Sequence, residues 1–313
     1  MKIQFDEETH EYKVDNKKVE SVTTILNAML NKPALINWSA NVSCDYIESY
    51  IKRNRKEENI NTIKLLNAVE TARTAWVKKR TQTANSGTRL HKWLEDWGKS
   101  LVGKENPLEI SEPDKEKLSP IDRTDRQTRD CALGFINALN RFQFVKILNC
   151  EKKVLRKSNT VLEAHSTYGQ PMPNMYCGTV DMIATIKNNI KSGNTVQKII
   201  EHISPNEEIN VVMDWKTSGA VYEENLLQVA AYKQAYEQME VRPVNAGIVV
   251  SCAKEDKKNK VAGNFTIKTI SGNSLHQRTS LFNMLVDAYY WKENLHNENT
   301  QTVEVFNSAS TDV

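Results

Sequence analysis

What most constrains the fold of this chain is a carboxylate placed inside a strand-like apolar run, Val211-Val212-Met213-Asp214-Trp215-Lys216-Thr217. An unpaired negative charge is costly to bury there, so the strand must end at something that compensates it. Side chains alternate along a strand, so Val212, Asp214 and Lys216 share one face. A second acid-bearing run, Gly178-Thr179-Val180-Asp181, lies upstream and reads the same way. Two acids and a lysine converging at a sheet edge could bind a divalent cation and hold a phosphate, as metal-assisted phosphodiester hydrolysis requires. A structural account competes with this. An aspartate in a strand can pair with a nearby lysine or a turn amide, and a lone Asp-x-Lys is common by chance.

With 313 residues, 39% hydrophobic and 26% charged, the chain can bury a core as one elaborated domain or two packed ones. No apolar run approaches the length of a membrane span, and no signal-peptide core is read in the first 30 residues. Cys44, Cys131, Cys150, Cys177 and Cys252 are scattered without a Cys-x-x-Cys pair. They read as reduced thiols of a cytosolic protein rather than a disulfide frame or a structural zinc site. A net charge of +3 is too small to argue for a nucleic-acid partner by itself. Local basic runs do occur at 52–56, at Arg73 with 78–80, and at Lys152, Lys153, Arg156 and Lys157. Each is either a solvated face or part of a positive wall facing an acidic edge.

Along the chain, residues 2–20 read as a β-hairpin, followed by a helix capped by Ser21 or Thr23 and ending near Asn31-Lys32-Pro33. A second helix starts near Pro33, and a third spans about 60–80. Asn85-Ser86-Gly87 is expected to break that run and cap a further helix from Thr88 to about Lys99. A polar loop follows at 102–122, then a helix from Arg126 to Val145. Strands are expected at 147–155, 160–164, 175–186, 210–217, 246–252 and 264–270. One helix, Glu223–Glu240, interrupts them, and a last helix spans Ser274 to about Leu295. The segment 187–209 reads as an insertion with a short helix at 195–202. The expected organisation is a hairpin and helical region (1–145), a mixed-sheet core (146–296) and a disordered tail (297–313).

Two further groupings bear on chemistry. Gln228 and Tyr232 stand one helical turn apart on the same face. Gly87-Thr88-Arg89-Leu90-His91 places a histidine beside an apolar stripe, where packing is the commoner role and metal ligation the rarer one.

Taken in order, Gly-Thr-x-x-His, Gly-Thr-Val-Asp, Asp-x-Lys-Thr-Ser and Gln-x-x-x-Tyr resemble the RecB-type branch of the PD-(D/E)xK nuclease superfamily. The opening (His10-x-Tyr12, Ser21 to Leu26, and Lys32-Pro33-Ala34-Leu35-x-x-Trp38) is similar to phage exonucleases and the mitochondrial genome maintenance exonuclease. The resemblance implies an α/β fold with a restriction-endonuclease-like mixed sheet flanked by helices and a helical N-terminal half. It implies that Asp181, Asp214, His91 and the Trp215 carbonyl bind Mg²⁺ or Mn²⁺, with Lys216 as the active-site lysine. A further glutamate of a Glu-x-x-Val pattern fits Glu151, with Glu163 as competitor. Gln228, Tyr232, Thr217, Ser21 and Trp38 become candidate contacts to substrate. No iron–sulfur cluster is expected from the scattered cysteines. The chain departs from family spacing at 156–174 and 187–209. The activity implied is exonucleolytic hydrolysis of DNA, on single-stranded or free ends, in replication, recombination or repair, in the cytoplasm of a bacterial or phage-infected cell. A single-strand annealing protein or a helicase would be a natural partner. The alternatives are a non-cleaving DNA- or recombinase-binding protein on a nuclease fold, and a structure-specific endonuclease.

Overall fold

The structure is a computed structural model that describes residues 2–30, 32–54, 62–105, 126–157, 174–192, 194–218, 220–252 and 263–309. The chain divides into two compact units, Asn31–Lys92 and the combination of Met1–Leu30 with Trp93–Val313. This differs from a boundary at residue 145, because the N-terminal hairpin packs on the sheet. Tyr12, Val14 and Val19 form one small core with Leu155 and Cys177.

The larger unit opens with β1 (Ile3–Asp6), β2 (Glu11–Val14) and β3 (Lys17–Val19), an antiparallel meander. α1 (Val22–Met29) follows, with Ser21 as N-cap accepting the Thr24 N–H at 2.9 Å. A second, mixed sheet has the order β4-β5-β7-β8-β9, with β6 hung on β5. Its strands are β4 (Phe142–Lys157), β5 (Met175–Ser192), β6 (Thr195–Gln197), β7 (Glu208–Lys216), β8 (Ala246–Cys252) and β9 (Phe265–Ser271). Among the described strands of this sheet only β7 and β8 pair in parallel, which requires a crossover, and α5 (Glu223–Glu240) supplies it. α4 (Arg126–Leu139) precedes the sheet and α6 (Gly272–Ala309) follows it.

Apolar burial fixes these layers. α5 is buried from Asn225 to Tyr232 and again at Ala235 and Tyr236. It lies in one core with Val22 and Ile25 of α1, Ile183 and Val212 of the sheet, and Phe282 and Val286 of α6. Elsewhere Phe135 of α4 meets Trp215 edge to face at 5.9 Å. In the smaller unit, α2 (Pro33–Asn54) and the first part of α3 (Thr62–Leu101) carry much of the basic character. Part of it is neutralised locally, since Lys52 pairs with Glu48 and Arg73 with Glu70.

Four local expectations are corrected. Asn85-Ser86-Gly87 does not break a helix, and α3 runs unbroken through it. Losing the intrahelical hydrogen bonds there would cost more than the roughly 2 kcal/mol that three weak helix formers carry. Residues 142–145 are strand rather than helix, because the chain turns at Asn140-Arg141 and Phe142 and Phe144 are buried as alternate residues. The expected helix at 195–202 is instead β6, paired antiparallel with β5, followed by turns. The last helix continues through the expected tail to Ala309. The expected strand 160–164, Glu163 and most of the 102–122 loop lie outside the described residues. Among the described residues no helix is long and apolar enough to cross a membrane.

Candidate active site

The two acid-bearing strands are neighbours. The β5–β7 ladder ends at Met182↔Met213, and its continuation sets Asp181 against Asp214. Beyond that point the backbone N–H of Trp215 has no strand partner on β5, and it donates to Asp181 Oδ2 at 2.7 Å. In an extended strand the N–H and C=O of one residue face the same neighbour. The Trp215 carbonyl therefore also faces β5 and the acids, while its indole packs on Phe135.

Asp214 is 1% exposed, and its Oδ2 receives the Lys216 ammonium at 2.6 Å. Burial by itself would push Lys216 down, but the carboxylates of Asp214 and Asp181 outweigh it and hold Lys216 above its ordinary value. Asp181 is the opposite case. Burial pushes its carboxyl up to about 6, against the opposing pull of Lys216 and the Trp215 N–H.

Glu151 joins from β4. The flanking pairs Cys150↔Met182 and Lys152↔Val180 put it across from Asp181. One carboxylate oxygen of each lies within 4.8 Å of the other. Glu151 has φ +51°, a left-handed conformation that a non-glycine residue in a strand adopts only at a cost of about 1–2 kcal/mol. Such strain concentrates where a side chain must be aimed. Its neighbour Cys150 has a thiol pushed up to about 12, chiefly by burial, so it stays protonated.

Tyr232 and Gln228 stand over the same corner, but inside the protein. Gln228 Nε2 donates to the Tyr232 hydroxyl at 2.8 Å, and both residues are buried. The Tyr232 ring lies so close to β5 that a Cβ at Gly178 would sit 2.4 Å from its Cε1. Glycine at the head of Gly-Thr-Val-Asp is thus a packing requirement. The same corner is lined by a residue that sequence reasoning assigned no role. Tyr12, from the hairpin, is buried, and its hydroxyl lies 2.7 Å from Thr179 Oγ1. Its signals in the sequence were the His10-x-Tyr12 of the opening and the alternation of Tyr12 with Val14 on a short strand.

The remaining candidates fall as follows. Thr217 is half-buried directly after Lys216. Ser21 is committed to capping α1, with its hydroxyl also 2.7 Å from that of Thr24. Trp38 is a half-buried residue of the 31–92 unit, on α2; Trp76, half-buried on α3, belongs to the same unit. His91 is half-buried on α3 at the end of the same unit, and α3 enters the larger unit two residues later.

Glu151 and Asp181 offer hard oxygens, the kind that suits Mg²⁺ and Mn²⁺; Asp214, with the Lys216 ammonium on its Oδ2, is not part of that close group. The residues fit a hard divalent cation. No family model matches this chain, and no curated protein matches it.

Proposed function

We propose that this chain is a Mg²⁺- or Mn²⁺-dependent DNA exonuclease with a restriction-endonuclease-like core. The observation that carries the reading is the meeting of three strands at one corner. β4 aims Glu151, β5 aims Asp181, and β7 ends in Asp214-Trp215-Lys216. A half-buried aspartate with a raised pKa beside a second carboxylate is costly in a purely structural role, and a cation would offset the cost.

Asp181, Asp214, Glu151 and the Trp215 carbonyl would hold the ion. Bound there, it would lower the pKa of a water and neutralise charge on the phosphate. Lys216 has a defined task. With its ammonium 2.6 Å from Asp214, it grips a phosphate oxygen and aligns the attacking water. The proton of the water passes to a carboxylate of the corner. The water oxygen bonds to phosphorus, the 3′ oxygen leaves, and the product carries a 5′-phosphate. Gln228 and Tyr232 brace the acid corner, and Thr217, next after Lys216, would contact the substrate. The basic and aromatic residues of α2 and α3, Trp38 and Trp76 included, would hold a single strand by stacking and phosphate contact.

The test is the purified protein on end-labelled single-stranded and duplex DNA in Mg²⁺, Mn²⁺ or EDTA. Metal-dependent loss of label is expected, with at least a hundredfold loss of rate in Lys216→Ala. Full activity in EDTA, or an undiminished Lys216→Ala rate, would overturn the reading. Cutting of closed circular single strands would replace end-dependence with endonucleolytic action.

A further inference from the structure

The N-terminal hairpin reaches the acid corner through one hydroxyl, and we propose that Tyr12 and Thr179 act as a pair of positioning residues that fixes the Glu151 and Asp181 carboxylates for the cation. This rests on the metal-site reading above. Thr179 precedes Asp181 by two residues on β5, so both face the same way. Tyr12 is held by the Phe5 ring at 4.7 Å and by the hairpin core against Leu155 and Cys177. The hairpin is itself tied to β5, where the Cys177 N–H donates to the Glu20 carbonyl at 2.9 Å. Glu151 lies across from Asp181 on β4, so the Tyr12 hydroxyl, held at Thr179, stands one step along β5 from the two acids.

Proton counting gives the pair its direction. Tyrosine and threonine each carry one hydroxyl hydrogen. At 2.7 Å one hydrogen lies between the two oxygens, whichever residue donates. That leaves one hydrogen for the pair to give away. Ionised carboxylates only accept, so the acids beside the pair are its natural recipients. A carboxylate held this way keeps its remaining lone pairs aimed at the cation, the role that outer hydrogen bonds commonly play around metal ligands. Breaking the pair would therefore lower metal affinity, while the ring packing of Tyr12 would survive in phenylalanine.

The experiment is Mn²⁺ titration followed by electron paramagnetic resonance, without DNA, on wild type, Tyr12→Phe, Thr179→Val and Thr179→Ser. Tyr12→Phe and Thr179→Val are expected to weaken Mn²⁺ binding about 10- to 100-fold. Thr179→Ser, which keeps the hydroxyl, restores it. Wild-type affinity in both Tyr12→Phe and Thr179→Val overturns the inference and leaves the nuclease reading standing. Weakened binding in a protein that cuts no DNA overturns the nuclease reading and supports the pair. A wild type that binds no Mn²⁺ removes both. Thermal unfolding in EDTA serves as the folding control, and an effect of Tyr12→Phe confined to it, with Mn²⁺ affinity unmoved, assigns Tyr12 to packing alone and refutes the proposal.

Discussion

Replacing Asp181 with asparagine should stabilise the metal-free protein while removing its response to metal. Burial raises this carboxyl from an ordinary 3.8 to about 6. Carrying the ionised form at neutral pH therefore costs the fold about 3 kcal/mol. The side chain is half-buried rather than sealed, so water recovers part of that, and a gain of about 2–3 kcal/mol is expected. Asparagine keeps an oxygen for the Trp215 N–H, now 2.7 Å from the carboxylate, so that bond is not the variable. The sign follows from linkage. The folded state holds this proton more tightly than the unfolded one, so the contribution is fully present below pH 3.8 and lost as pH rises to about 6. The advantage of the variant should then be about 1.5 kcal/mol at pH 5, reach its full size above pH 6 and stay flat to pH 8.

Urea denaturation in EDTA at pH 5 and pH 8, followed by tryptophan fluorescence, reads both magnitudes. Saturating Mn²⁺ should reverse the order at pH 8, because a ligand that binds only the folded state adds RT ln(1 + [L]/Kd) to wild type and little to the variant. An Asp181→Asn protein less stable than wild type in EDTA at pH 8 would refute the reasoning. So would equal stabilisation of both proteins by metal.

Three more substitutions test separate steps. Gly178→Ala should cost about 1–3 kcal/mol by urea denaturation, since its Cβ would press on a Tyr232 ring that is buried and tied to Gln228; a neutral result would contradict the packing of α5 on β5. Glu151→Gly should be about 1 kcal/mol more stable than Glu151→Ala because φ is +51°, while both lose the same Mn²⁺ affinity; the reverse order would show that the left-handed turn is wrong. Asn85→Ala should raise stability by about 0.5 kcal/mol if α3 is continuous, and lower it by about 1 kcal/mol if Asn85 caps a new helix. The sign of that change in thermal unfolding decides between the two.

The strands and helices that were legible in the sequence share one property: a long pattern with a single burial solution. Val211 to Lys216 could only be a buried strand, and Glu223–Glu240 emerges with the limits its composition suggests. What was not legible depended on contacts between distant segments. α3 continues through Asn85-Ser86-Gly87 because local preferences of a fraction of a kcal/mol per residue do not outweigh a continuous hydrogen-bonded helix. The alignment of Glu151 with Asp181 depends on register irregularities in β4 between Phe142 and Asn149. Such one-residue events follow from sheet twist and leave no clear local signature.

The candidate site shows the same division within four letters. Gly-Thr-Val-Asp was readable as a block, but the reasons for its letters come from elsewhere in the fold. Gly178 is small because α5 lowers Tyr232 onto it, and Thr179 carries a hydroxyl that meets Tyr12 of the hairpin. Val180 fills the core beside α5. Asp181 takes the N–H that β7 offers where the ladder ends. The block is therefore the joint imprint of a helix, a hairpin and a strand on one short stretch of β5. An acid placed there is positioned by the fold itself, which is the preorganisation that the proposed metal site needs and a surface ion pair does not.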